Sequence, residues 1–166
     1  TITHNGTIDG NVYGGGLAQM GGFSSTGTSE ITLSAGSVVT GDVYAGGIVR
    51  ANDIYKYGAY EGGKATVNTA SVTIENGATV NRTVHTGGYV SKAQNSGEVS
   101  TAVASVENAT ITLKGNGTFQ GLTVVNDGVK LDGTATDAKL SFADTTADNA
   151  ILAAFSGFQT LEAQAG

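Results

Sequence analysis

Slid against itself, the sequence repeats, and this constrains the fold more than any single residue in it. Residues 31–49 read ITLSAGSVVTGDVYAGGIV, residues 72–90 read VTIENGATVNRTVHTGGYV, and residues 2–18 read ITHNGTIDGNVYGGGLA. A fainter copy, ITLKGNGTFQGLTVVNDGV, spans 111–129. The unit is about 40 residues, shortened once: the pairs Gly15-Gly16, Gly46-Gly47 and Gly87-Gly88 lie 31 and then 41 residues apart. A repeat of this length is a supersecondary unit that buries its apolar face only against its neighbours. The chain therefore reads as one domain of repeats over 1–28, 29–69, 70–108 and 109–142, with a cap-like segment at 143–166.

Each copy has the same grammar. A run of the form Ile/Val-Thr-Leu/Ile is followed by a turn such as Ser34-Ala35-Gly36 or Glu75-Asn76-Gly77, then by a second run at Val38-Val39 or Thr79-Val80. A third run, Asn11-Val12-Tyr13, Asp42-Val43-Tyr44 or Thr83-Val84-His85, leads into the glycine pair. Short alternating β-branched runs bounded by Gly and Asn predict half-buried strands. Stacked repeats of such strands predict an all-β, right-handed parallel β-helix, with Ile31, Val72 and Ile111 above one another in an interior ladder. An antiparallel sandwich or barrel is the alternative that the same strand lengths allow. The glycine pairs are expected where the backbone bends sharply or needs positive φ. The polar stretches 19–30, 50–68 and 91–104 are expected to complete each repeat or project as hairpins. A single helix is expected over 147–155, ADNAILAAF, capped by Asp148 or Asn149.

Composition removes several classes. Glycine fills 26 of 166 positions while proline and cysteine are absent, which excludes collagen and disulfide scaffolds. Absent proline suits ladders in which every strand donates. At 39% hydrophobic and 13% charged, the chain is too apolar for disorder. A formal net charge of -6 opposes nucleic acid and anionic lipid. No run approaches the length of a membrane-spanning helix, so no direct membrane insertion is expected from this segment. The chain opens on TITHNG, without Met or a signal-like segment, so a processed product is expected.

Gly10-Asn11-Val12-Tyr13-Gly14-Gly15-Gly16, Gly41-Asp42-Val43-Tyr44-Ala45-Gly46-Gly47 and the weaker Val84-His85-Thr86-Gly87-Gly88 resemble repeats of autotransporter passenger domains, the secreted β-helical adhesins of Gram-negative bacteria. The tail, Leu131-Asp132-Gly133-Thr134 through Phe155-Ser156-Gly157-Phe158-Gln159-Thr160-Leu161, is similar to them as well. The resemblance implies display outside the bacterial cell, on its surface or secreted. It carries no catalytic residues.

No Ser-elbow, HExxH, P-loop or dinucleotide motif occurs, and no catalytic residue or cofactor is expected. His4 and His85 lack ligand or base-nucleophile spacing, and His85 occupies the repeat position of Tyr13 and Tyr44. A polysaccharide lyase or hydrolase would use Asp residues with Lys130 or Lys139. Asp127, Asp132 and Asp137 offer the one calcium candidate, although the alternate-position ligand pattern is missing and Asx-turns explain them as well. The stretch 54–63, IYKYGAYEGG, holds half of the six tyrosines. Tyr55, Tyr57 and Tyr60 form the candidate contact patch, because tyrosine offers amphipathic area at little entropic cost. The expected function is a non-catalytic structural or adhesive segment that contacts a host or neighbouring-cell protein or glycan and associates end to end into filaments. A polysaccharide-acting or carbohydrate-binding β-helix is the alternative.

Overall fold

The computed structural model describes residues 1–19, 22–50, 63–91, 102–115, 119, 122–126, 135–143 and 154–164, and among them every regular element is a strand. The first repeat holds β1 (Ile2–His4), β2 (Thr7–Ile8), β3 (Val12–Tyr13) and β4 (Leu17–Gln19). The second holds β5 (Phe23–Leu33), β6 (Val38–Val39), β7 (Val43–Tyr44) and β8 (Ile48–Arg50). The third holds β9 (Lys64–Glu75), β10 (Thr79–Val80), β11 (Thr83–His85) and β12 (Tyr89–Ser91). Then follow β13 (Val103–Lys114), β14 (Thr123–Val125), β15 (Ala135–Ala143), β16 (Ala154–Ser156) and β17 (Thr160–Gln164).

Among the described residues, strands at like positions in successive repeats pair, so four sheets form with the orders β1-β5-β9-β13-β15-β17, β2-β6-β10, β3-β7-β11-β14-β16 and β4-β8-β12. Every pairing among the described residues is parallel, which overturns the antiparallel alternative. The reason lies in the repeat: like strands recur in the same direction, and their apolar positions coincide only in a parallel register. In the first sheet Ile2, Ile31, Val72, Ile111, Leu140 and Leu161 follow one another strand by strand. Ile31, Val72, Ile111 and Leu140 are at most 1% exposed. The next inward column, Leu33, Ile74 and Leu113, is fully buried. Burying each such side chain contributes about 1.5–3 kcal/mol. Val39 of the second sheet and Val43, Val84 and Val124 of the third complete this large core cluster.

The long strands decide between the two expectations for the polar stretches. Residues 23–30, 64–68 and 103–104 complete the repeat as parts of the opening halves of β5, β9 and β13 and do not project as hairpins. Their inward positions are Ser24, Ala65 and Ala104, then Thr26, Val67 and Val106, then Ser29, Ala70 and Ala109, so small or polar residues stand at most of them and give little hydrophobic period to read. Alternation also slips by one residue at the same place in each: Asn68 and Thr69 are both exposed between buried Val67 and Ala70, and Glu107 and Asn108 between buried Val106 and Ala109. The remaining residues of the polar stretches 50–68 and 91–104 lie mostly outside the described residues.

At its C-terminal end the predicted helix gives way to a strand. Ala154 and Phe155 belong to β16, with Phe155 opposite Val124 in the valine column. A vacant ladder position outweighs the modest helix preference of an Ala/Leu-rich run. Residues 147–153 lie outside the described residues. The outermost strands of the first sheet are β1 and β17.

Candidate functional site

The glycine pairs join the third sheet to the fourth, and they are needed for closeness rather than for backbone freedom. None of the six has positive φ; that conformation belongs to Gly36 and Gly77 in the turns after β5 and β9, both at 87°. A Cβ placed on Gly46 would lie 2.7 Å from Gly88 N and 2.8 Å from Gly88 Cα in the next repeat. One on Gly15 would lie 2.6 Å from Gly47 N, and one on Gly88 2.8 Å from the Ala104 Cβ. The backbone ladder runs straight through the step: Gly15 N donates to Gly46 O at 3.0 Å and Gly46 N to Gly87 O at 2.9 Å. The glycines therefore press against the small residues that open β9 and β13. This pinches off a second, smaller core of Ala18, Val49, Val90, Ala65, Ala102 and Ala104.

Just before the glycines, the side chains opposite the core valines form an aromatic stack. Tyr13, Tyr44 and His85 are in register across β3, β7 and β11. Tyr13 and Tyr44 stack with centroids 5.2 Å apart, and Tyr44 and His85 at 4.5 Å, both pairs within 7° of parallel. Just past the glycines, Tyr89 of β12 leans back across the corner, 5.4 Å from Tyr44 and 6.2 Å from Tyr13. Three rings from two sheets thus close over Tyr44, which is 2% exposed. Such offset and tilted pairs are worth about 0.5–1.5 kcal/mol each beyond their burial.

A polar ladder flanks the rings. Asn11 Oδ1 accepts from Asp42 N at 2.8 Å, and Asp42 Oδ1 accepts from Thr83 N at 3.0 Å. Asn11 Nδ2 donates to the Tyr13 hydroxyl at 3.1 Å. His85 Nε2 lies 3.8 Å from Asp42 Oδ1, beyond hydrogen-bond range. On the far side of the stack, Thr86 Oγ1 donates to Asn126 Oδ1, and Asn126 Nδ2 donates to Gly157 O at 2.9 Å. At its surface the corner shows the half-buried Tyr13 and Tyr89 and the exposed Asn11 amide, with Leu17 of β4 46% exposed, while Tyr44 and His85 are buried within it.

No family model, no curated protein and no solved structure matches the chain.

Among the residues singled out in the sequence, Tyr55, Tyr57 and Tyr60 lie outside the described residues, as do Asp127, Asp132 and Lys130. Asp137 stands in β15 opposite Asn108, and the Lys139 ammonium pairs with the Glu162 carboxylate. Among the described residues, no three His, Asp or Glu side chains are grouped to hold a metal ion. No helix is long and apolar enough to cross a membrane, also among the described residues. Sequence reasoning placed His85 in the tyrosine column but missed Tyr89, whose signal was its place one strand later, in line with Leu17 and Ile48.

Proposed function

We propose that the chain is part of a right-handed parallel β-helix that serves outside a bacterial cell as a non-catalytic structural and adhesive element. The observation that carries this reading is the strand-by-strand register of the four parallel sheets, each taking one strand from each of the first three repeats. Parallel sheets ordinarily need both faces covered. A chain that winds through four of them in turn covers the inner faces by closing on itself. Parallel crossovers are overwhelmingly right-handed. The aromatic corner is the contact surface for a partner protein or glycan, and the edges β1 and β17 are where further strands of the same kind join, including those of a second copy. The resemblance to autotransporter passengers supplies the location, the bacterial surface.

The test is negative-stain electron microscopy of the purified chain over a concentration series, with mass from light scattering. Short rods, or filaments of uniform width that lengthen with concentration, are expected. Round particles at every concentration would overturn the solenoid reading. Rods of monomer mass throughout would overturn end-to-end association alone. For adhesion, labelled chain retained on cells should lose retention on Tyr89→Ala.

A further inference from the structure

The outer surface of the first sheet carries a second, chemically different pattern. Side chains that alternate with the buried ladders point away from the core. β9 presents Thr69, Ser71 and Thr73 there, and β13 presents Asn108, Thr110 and Thr112. β5 adds Thr28, Glu30 and Thr32 in the same register. Seven of these nine neighbouring positions therefore bear a hydroxyl. Charge is confined to the margins: Glu30 accepts from Thr1 Oγ1 at 2.8 Å on one side, and the Lys139–Glu162 pair closes the other. The corresponding outward positions of the fourth sheet, Leu17, Ile48 and Tyr89, show no such uniformity.

Good strand propensity alone favours threonine on any strand, so the arrangement must be judged by its spacing. Parallel in-register strands repeat about every 4.8 Å, and alternate residues along a strand about every 6.6 Å. A tetrahedral water network with O···O near 2.75 Å repeats about every 4.5 Å laterally and about every 7.3 Å along its axis. Across three rows the accumulated mismatch is about 0.6 Å and across three columns about 1.4 Å, within the reach of a rotating hydroxyl. The nine positions hold no aromatic ring to stack on a sugar, and their two inner rows hold no charge to attract an ionic partner. Uncharged hydroxyls and methyls on a regular grid are what remains.

We infer that this face binds solid water, holding an ice-like layer on the grid that Thr32, Thr73 and Thr112 line on one side. The inference is independent of the adhesive reading, since it uses another face and another ligand.

The test is ice recrystallisation inhibition by the whole chain, with serum albumin as the inactive reference. The wild-type chain is expected to keep crystals small. Thr73→Tyr should abolish the effect by lifting the ice off the grid, whereas Thr79→Tyr, exposed on β10 of another sheet, should retain it. Far-UV circular dichroism checks both folds; should Thr73→Tyr lose its strand signal, Ser71→Tyr takes its place. Wild-type behaviour like albumin, or full activity in both grid variants, would overturn the inference. Retention on microcrystalline cellulose or chitin without any effect on ice would overturn it too, in favour of a crystalline polysaccharide.

Discussion

Adding one methyl group at Gly46 should damage this protein about as much as removing several carbons from its core. The new Cβ would meet Gly88 N at 2.7 Å, Gly88 Cα at 2.8 Å and Gly87 C at 2.9 Å. All three are backbone atoms of the neighbouring repeat, so no side chain can rotate away. Relief requires the repeats to separate where Gly46 N donates to Gly87 O at 2.9 Å. Overpacking of this kind costs about 3 kcal/mol, and for a chain of this size that lowers the melting temperature by about 6–12 °C. Two comparisons isolate the cause. At Gly36 a Cβ meets nothing within 4 Å but φ is 87°, so Gly36→Ala should cost about 1–2 kcal/mol through backbone conformation alone. At Gly27, with open space and no positive φ, Ala should be neutral or stabilise by about 0.5 kcal/mol. Thermal and urea unfolding followed by circular dichroism read all three. If Gly46→Ala unfolds with Gly27→Ala rather than well below it, close approach is not why the glycine pairs recur.

Ile74→Ala, at a fully buried position between Leu33 and Leu113, should lose about 2–5 kcal/mol in urea unfolding. Tyr44→Ala should lose about 3–5 kcal/mol, since it removes the middle ring of the stack and leaves a cavity under Tyr89. Asn126→Ala deprives the buried Thr86 hydroxyl of its acceptor and should cost about 1–3 kcal/mol, with Asn126→Asp restoring part of it. Lys139→Met, by contrast, breaks an ion pair whose side chains are 33% and 39% exposed, and should change the unfolding midpoint by less than about 1 kcal/mol.

The sequence was legible where apolar residues recur and opaque where the structure uses small ones. Ile31, Val72 and Ile111 could be aligned by eye, and their register follows directly. Ser29, Ala70 and Ala109 occupy equally buried positions, yet nothing in Ser or Ala announces a core residue. The slip of alternation at Asn68-Thr69 hid the remainder, because a period-2 pattern read through it falls out of phase. The glycine pairs were conspicuous, but spacing alone does not separate a need for positive φ from a need for contact; only the neighbouring backbone does. Phe155 failed for another reason. AILAAF carries a local preference for helix, and the ladder position opposite Val124 lies far away in sequence. In the aromatic corner, Tyr13, Tyr44 and His85 hold the same position in successive repeats of the sequence, whereas Tyr89 belongs to a different sheet and joins them only once the chain has turned at Gly87-Gly88.

The spacing between ladder partners varies from one repeat to the next. Ile2 to Ile31 is 29 residues, Ile31 to Val72 is 41, and Leu140 to Leu161 is 21, yet all five residues share one column. Recombination between two such repeats therefore yields a sound product whenever the crossover joins equivalent strands, whatever lengths of connecting chain it brings along. A gene built this way can lengthen or shorten by whole repeats and exchange its connecting segments freely, while the positions it must keep reduce to a few valines, leucines and glycines per repeat.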